Sequence, residues 1–313
     1  MWKGRAVADV RTMREADPAA PGIAAAAAVR RRSVLLRLAG LLQIRKHTAG
    51  DPGTRIALID GVVARDDRLS GVRVVPASAA SSTPSGGARD HATHLASMLV
   101  GQGPGLLGLC PGATLLSVPA VDDPMLDGRL APAQVGDALA RAVDASLDAG
   151  AEVILFGVSL HGAGREVFGP VIEALARAAR LGVRAVIPTG NDSGLDSPVA
   201  AVTGVIPVAF ADDQATADPR NRWSVSLARD GLLAPGTGIP GIDGAGNLVV
   251  GAGSSHAAAM VTGAYALLRA VVPGASPRAI WDSIRHPRHG VRHCPTVLDA
   301  QASWLGLIAG RDV

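Results

Sequence analysis

The stretch Arg55-Ile-Ala-Leu-Ile-Asp60 holds four consecutive apolar residues, Ile56 to Ile59, and ends in an acid. Similar apolar stretches follow at 113–120, 152–159, 184–190 and 205–210. Helical patterns lie between them or after them, over 91–100, 133–149, 166–181, 255–272 and 276–286. Strands that are buried on both faces are apolar throughout, and in α/β proteins they alternate with helices. The sequence therefore predicts an α/β fold of three layers, a mainly parallel central sheet with helices on both faces.

The composition is that of a folded protein, because 48% of the residues are hydrophobic and only 18% are charged. The net charge of +3 is unevenly distributed along the chain, because residues 1–46 hold ten basic and three acidic side chains. The rest shows no basic face with interleaved aromatic residues, so we expect no nucleic-acid partner. No apolar run has the length of a membrane span, and the Arg30-Arg-Arg-Ser stretch lacks a clear cleavage site. We expect a cytoplasmic protein with no membrane partner.

Three regions are predicted along the chain. Residues 1–54 form a basic, Ala- and Arg-rich segment that is weakly ordered, with a short amphipathic helix over 33–46. Residues 55–290 form the α/β domain, in which 77–88 is a surface loop rich in Ser, Ala and Gly. Residues 291–313 form a tail with a short helix. Cys110 and Cys294 are the two cysteines, which is too few for a disulfide framework.

Polar residues stand where the predicted elements begin or end, and each has an ordinary structural explanation. Asp60 ends the first strand and is a candidate turn residue, while Asn191 follows Gly190 in a turn-like Gly-Asn-Asp. His91 opens a helix three residues before His94, a spacing that suits a metal pair but lacks a third ligand nearby. Ser255 opens another helix, where serine is a common N-cap.

Together these four residues favour acyl transfer, because the carboxyl ends of parallel strands meet at one edge of the sheet. An attacking serine needs a base, and the imidazole of that base needs a carboxylate that fixes its tautomer. Ser255, His91 and Asp60 supply that set. The Asn191 amide and the Ser255 backbone N–H are donors for the oxyanion. Small residues around Ser255 would let a substrate backbone approach.

The sequence resembles the subtilisin-like serine proteases, or subtilases, at seven places that occur in the family's order between about residues 55 and 286. The matching segments are Ile56–Gly61, His91–Ala96, Gly108–Leu116, Val158–His161, Pro188–Asp192, Leu233–Gly236 and Gly253–Gly263. The sequence departs from the family pattern at four positions without losing a reacting group, and these are Val62, Ala92, Ser254 and Ala259.

The resemblance implies a serine endopeptidase with the subtilisin-like fold over residues 55–290. Ser255 would form the acyl-enzyme, His91 would be the base, Asp60 the orienting acid and Asn191 part of the oxyanion hole. A peptide or precursor-protein substrate would pair with the strand edge at 158–161, and the implied substrate-binding residues are Val158, Ser159, Leu160, His161 and Gly190. No cofactor is expected, and the oligomeric state is left open. The alternative is a peptide-binding pseudoprotease that has lost turnover.

A narrower resemblance is to the proteases that mature cyanobactin-type ribosomal peptides. The Asp60-Gly61 ending, the Gly50-Asp51-Pro52 lead-in and the compact core carry it. Such enzymes cut a leader from a modified precursor. Metal sites at 286–294, Asp122-Asp123 or Asp212-Asp213 are weaker alternatives, and we expect no metal.

Overall fold

The computed structural model describes residues 7–8, 14–15, 31, 34–75, 86–126, 128–161, 163–191, 197–211, 231–286 and 295–310. The strands in these residues are β1 Val7–Ala8, β2 Arg14–Glu15, β3 Arg55–Asp60, β4 Val72–Val74, β5 Thr114–Pro119, β6 Val153–Phe156, β7 Ser159–Leu160, β8 Arg184–Pro188, β9 Val205–Ala211, β10 Leu232–Pro235, β11 Ile239–Ile242, β12 Leu248–Gly251 and β13 Thr296–Val297. The helices are α1 Gly87–Val100, α2 Asp123–Leu126, α3 Pro132–Asp148, α4 Arg165–Arg180, α5 Ser254–Val271, α6 Pro277–Arg285 and α7 Ala300–Ala309.

The central sheet has eight strands in the order β13-β10-β9-β8-β6-β3-β5-β4, and all of its neighbouring pairs are parallel. β3 lies inside the sheet between β5 and β6. Its apolar run follows from this position, because a central parallel strand is covered on both faces. The predicted parallel sheet is confirmed.

Successive residues of each strand face opposite layers, as the pleat of a strand requires. In β3, Ile56 and Leu58 pack into a core with α1, α5 and α6, while Ala57 and Ile59 pack into a second core with α3 and α4. Each core joins one outer layer of helices to one face of the sheet. This confirms the three-layer prediction.

Helix α5 is buried along its whole first part, Ser254–Leu268. Its many alanines and Gly263 let it lie close to the sheet, where a methyl group on Gly263 would press against Leu109. The departures at Ala92 and Ala259 are both fully buried in the same core. Small side chains at these positions are therefore part of the packing of α1 and α5.

The predicted helix over 33–46 is interrupted. Residues 34–38 are helical, and a separate 3₁₀ helix spans Ile44–Lys46. Gly40 separates them with a φ of +68°, in the left-handed region that favours glycine. Leu35 and Ile44 are fully buried in the core that contains α1 and α5, and the Gly40 loop packs on the start of α7.

The predicted strand over 152–159 is also broken, into β6 and β7. The break falls at Gly157, where an added Cβ would collide with the Asp60 carboxylate. Of the predicted loop over 77–88, residues 77–85 lie outside the described residues, and Gly87 already belongs to α1.

Two short N-terminal strands pair with this framework. β1 pairs antiparallel with β7, so that Val7 faces Leu160 and Ala8 faces Ser159. β2 pairs antiparallel with β12 in a second sheet, of order β11-β12-β2. The Arg31 guanidinium donates to the Thr237 and Gly238 carbonyl oxygens, the bond to Gly238 being 3.2 Å long.

Candidate active site

Asp60 and His91 meet at the carboxyl end of β3. The Asp60 side chain is fully buried, and its Oδ2 lies 2.8 Å from His91 Nδ1. Its other oxygen, Oδ1, accepts a hydrogen bond of 2.8 Å from the Gly61 backbone N–H. Since the carboxylate oxygens are acceptors here, Nδ1 of His91 carries the proton and Nε2 presents a lone pair.

That lone pair points at Ser255. His91 Nε2 lies 2.9 Å from Ser255 Oγ, and both side chains are buried. His91 lies in the first turns of α1 and Ser255 at the start of α5, and the two helices pack side by side on the same face of the sheet. The structure therefore brings Asp60, His91 and Ser255, which are far apart in the sequence, into one hydrogen-bonded chain.

Asn191 lies beside the start of α5. Its Oδ1 accepts from the Ser254 backbone N–H at 2.8 Å and from the Ser254 hydroxyl at 3.2 Å. The Ser254 Oγ in turn accepts from the Gly190 N–H at 3.1 Å. Because a backbone N–H must meet an oxygen, this network fixes the side-chain amide with Nδ2 as its outward donor.

The residues expected to bind substrate form the neighbouring edge. Ser159 and Leu160 form β7, and Val158 is buried next to them. Gly190 has a φ of +96°, and a Cβ there would lie 2.9 Å from His161 Nε2 and 3.4 Å from Ser159 Oγ. Gly190 thus lies close to both Ser159 and His161, and its backbone N–H donates to Ser254 Oγ. The β7 edge at Ser159 and Leu160 is paired with β1.

Two further histidines complete the centre, and the sequence analysis did not assign them a role in it. His256 Nδ1 lies 3.3 Å from Ser255 Oγ, and His256 Nε2 lies 3.0 Å from His94 Nδ1. Burial, together with the neighbouring imidazoles, lowers the pKa of His256 well below its usual value. Burial lowers the pKa of His94 to about 3. Both rings are therefore neutral near pH 7.

The two histidines considered as a metal pair thus face different partners. His94 faces the His256 imidazole, and His91 faces Asp60 and Ser255. Within the described residues no group of three or more His, Cys, Asp or Glu side chains is arranged to hold a metal ion. Asp212, Asp213 and the tail over 287–294 lie outside those residues. Among the described helices, none combines the length and apolar character needed to cross a membrane.

The model of the subtilase family matches residues 51–293. No curated protein sequence matches the chain significantly.

Several solved structures share the fold. The prenylagaramide maturation protease PagA is 22% identical, with a TM-score of 0.73 over 86% of this chain and 98% of its own. The PatG macrocyclase in complex with peptide is also 22% identical, with a TM-score of 0.71 over 87% and 96%. The MycP3 protease from the type VII (ESX-3) secretion system is 21% identical, with a TM-score of 0.73 over 97% and 93%. These likenesses confirm the predicted subtilisin-like fold.

Proposed function

Given that the chain belongs to the subtilase family of serine endopeptidases, we propose that Ser255 is its nucleophile, His91 its general base and Asp60 the acid that orients His91. The observation that carries this proposal is the chain of hydrogen bonds from Asp60 through His91 to Ser255, with lengths of 2.8 and 2.9 Å. A nucleophile, a base and an orienting carboxylate are the groups that acyl transfer by a serine requires.

The reaction follows from the positions of the protons. Ser255 Oγ attacks the peptide carbonyl carbon while its hydrogen moves to His91 Nε2, and buried Asp60 stabilises the imidazolium that forms. The tetrahedral intermediate collapses as His91 returns the proton to the leaving amine. Water then attacks the acyl-enzyme by the same route, with His91 as base, and Ser255 is released.

The negative oxygen of the intermediate needs donors that are already in place. The Asn191 Nδ2 amide and the Ser255 backbone N–H at the start of α5 are the donors in this proposal. Two observations support it. Ser254 donates to the Asn191 side-chain oxygen and so orients the Asn191 amide group. The backbone N–H of Ser255 lies at the N-terminus of α5, where a helix carries positive potential.

The substrate in this proposal is an extended peptide that adds a strand to β7. The pairing of β1 with β7 supports it, because this edge already accepts an antiparallel strand. Val158, Ser159, Leu160 and His161 would line the path of the peptide, and Gly190 would leave room for the residue before the cleaved bond.

We further assign the enzyme to the maturation of ribosomal peptides, in which it would remove a leader from a precursor. The support is the fold shared with PagA and PatG over most of both chains. The proposal also places the enzyme in the cytoplasm. It divides the chain into an N-terminal segment over 1–54, a peptidase domain over 55–290 and a tail over 291–313.

The first test is labelling with a serine-directed fluorophosphonate, with the modified peptide identified by mass spectrometry. We expect the label on Ser255 of the wild type and none on Ser255→Ala. A folded wild-type protein that takes no label would favour the peptide-binding pseudoprotease instead.

The second test separates maturation from general digestion. Wild-type enzyme is incubated with a proteome-derived peptide library and with unfolded casein, and the products are sequenced by mass spectrometry. A maturation enzyme is expected to cut few sites, at one recognisable motif. Extensive casein digestion without such a motif would contradict the assignment to precursor processing and leave the endopeptidase assignment in place.

A further inference from the structure

Helix α1 carries His91, but the residue at its N-cap position has no side chain to cap it. Gly86 stands there with a φ of +132°. The first backbone N–H groups of a helix have no partner within the helix and need an acceptor. Asp123 supplies one from outside, since its Oδ1 accepts from the Ala88 N–H at 2.9 Å. A Cβ at Gly86 would overlap the Asp123 carboxylate, so this carboxylate lies where the side chain of an N-cap residue would lie.

The segment that carries Asp123 is itself bound to Asp60. Strand β5 runs parallel to β3, and at its end the backbone N–H groups of Ala120 and Val121 donate to the Asp60 carbonyl oxygen, at 2.9 and 3.1 Å. Asp123 follows two residues later, at the start of α2. Asp60 thus holds this segment through its backbone, while its side chain faces His91.

These contacts form a closed ring around the pair of Asp60 and His91. The ring leads from the Asp60 carbonyl along the end of β5 to Asp123. From Asp123 it crosses to Ala88, and α1 continues it to His91, whose hydrogen bond to the Asp60 carboxylate closes it. Inside the ring the Ala88 carbonyl packs against Gly61, where an added Cβ would overlap it. The bond from Ala88 to Asp123 therefore helps to set where the first turn of α1 lies relative to the end of β3.

A second contact attaches α1 to the chain that follows β3. The Thr93 hydroxyl oxygen accepts from the Ala64 N–H at 2.9 Å and donates to the Arg89 carbonyl oxygen at 2.7 Å. Along α1, His91 lies between Thr93 and the Ala88 contact with Asp123. Removal of the Asp123 carboxylate would leave α1 attached at Thr93, so we expect the imidazole to be displaced by a small amount and the helix to remain in place.

We propose that Asp123 is a positioning residue for the base, which holds the first turn of α1 and so keeps the His91 imidazole in line with both the Asp60 carboxylate and Ser255. This inference rests on the proposed function, in which His91 is the base. The alignment tolerates little displacement, because a misplacement of about 1 Å can cost about 10²-fold in rate. Asp123 acts through the backbone of α1, and its effect falls on the chemical step.

Substitution of Asp123 tests this role by kinetics. Asp123→Ala removes the acceptor, and we expect kcat to fall by about 10- to 100-fold with KM nearly unchanged. Asp123→Asn keeps an oxygen that can accept from the Ala88 N–H and should recover most of that loss. Asp299→Ala is the matched control, because Asp299 Oδ1 accepts from the Ala302 N–H at 2.9 Å at the start of α7. Both alanine variants should lower the melting temperature, but Asp299→Ala should keep the wild-type kcat.

Three kinetic outcomes would overturn the proposal. They are an unchanged kcat in Asp123→Ala, equal losses in Asp123→Ala and Asp123→Asn, and a loss in Asp299→Ala as large as that in Asp123→Ala. Asp123→Glu serves if the alanine variant does not fold. The Asp123 carboxylate lies tightly against Gly86, so a longer side chain cannot place its oxygen at the same point. We expect kcat of Asp123→Glu to fall well below that of Asp123→Asn, and equal rates would contradict the proposal.

A spectroscopic readout does not depend on turnover. The proton between an imidazole and a buried carboxylate gives a ¹H NMR signal far downfield, and its loss in His91→Ala assigns it. We expect the same signal in wild type and Asp299→Ala, and a shifted or broadened one in Asp123→Ala. An identical signal in all three would overturn the proposal. A wild-type enzyme whose Ser255 takes no fluorophosphonate label would instead remove the proposed function, so the two failures are distinguishable.

Discussion

At the scale of single residues, the site depends on which atom each polar side chain offers. Asn191 is the clearest case, because Ser254 occupies its oxygen and leaves its amide as the donor. Asp60 is similar, since one of its oxygens is taken by Gly61 and the other faces His91. Each group reaches the reaction already oriented, so little energy is spent on turning it during the reaction.

Asn191→Ala tests the oxyanion role. Because the amide is proposed to bind the oxygen only when it becomes charged, we expect kcat to fall by roughly 10²–10³ with little change in KM. Steady-state kinetics on a peptide from the library screen would measure this. Ser254→Ala is the matched control and should lose less, because the Ser254 backbone N–H still holds Asn191. Unchanged turnover in Asn191→Ala would remove Asn191 from the oxyanion hole.

Cys110 gives a second prediction at this scale. Its thiol is fully buried, and burial raises its pKa to about 12, so the reactive thiolate is scarce at pH 8. We expect iodoacetamide at pH 8 to leave Cys110 of the folded enzyme unmodified in peptide mapping, and to modify it after denaturation. Rapid modification of Cys110 in the native protein would contradict its burial.

At the scale of helices and strands, the site depends on glycines that let the elements approach. Gly157 separates β6 from β7 and faces the Asp60 carboxylate. Gly169 lies inside α4, where an added Cβ would meet nothing within 4 Å. The two positions therefore form a matched pair, one in contact with the site and one remote from it.

Gly157→Ala should displace the Asp60 carboxylate, because its Cβ would overlap Oδ2 and Cγ. A base without a well-placed carboxylate loses its correct tautomer, and we expect kcat to fall by at least about 10-fold and up to about 10⁴-fold. Gly169→Ala should keep full activity, because this position in α4 is remote from Asp60. Peptide turnover measures both, and equal activity of the two variants would contradict the role of Gly157.

The long elements could be predicted from the sequence because their patterns are strong. β3 and the helices α1 and α3 to α6 lie within a few residues of their predicted bounds. Strands β10 and β11 were missed because each is four residues long and contains proline, which reads as a loop. The contact between His256 and His94 was missed for another reason: it depends on how closely α1 and α5 approach, and no local pattern encodes that approach.

At the scale of the whole molecule, the N-terminal residues reach across the framework. β1 covers the edge of β7, β2 extends the sheet of β11 and β12, and Arg31 binds the loop at 237–238. A peptide that pairs with β7 and the chain's own β1 would use the same backbone groups, so both cannot occupy that edge at once.

Deletion of residues 1–30 tests this competition. We expect KM for a peptide substrate to fall several-fold, with kcat and the melting temperature nearly unchanged, because the described core begins with residues 34–46. Ala8→Pro in the full-length chain is the companion variant, since proline lacks the N–H of a paired strand and should lower KM in the same direction. An unchanged KM in both variants would show that β1 does not restrict access.

The pairing of β1 with β7 has a consequence for kinetics, because the two strands belong to one polypeptide. A tethered segment acts at a local concentration that the intervening chain sets, in the millimolar range for short flexible connections. That concentration stays the same when the enzyme is diluted, so the apparent KM should not depend on the amount of enzyme in the assay. A free peptide with the sequence around Val7 should then inhibit the truncated enzyme only at comparably high concentrations.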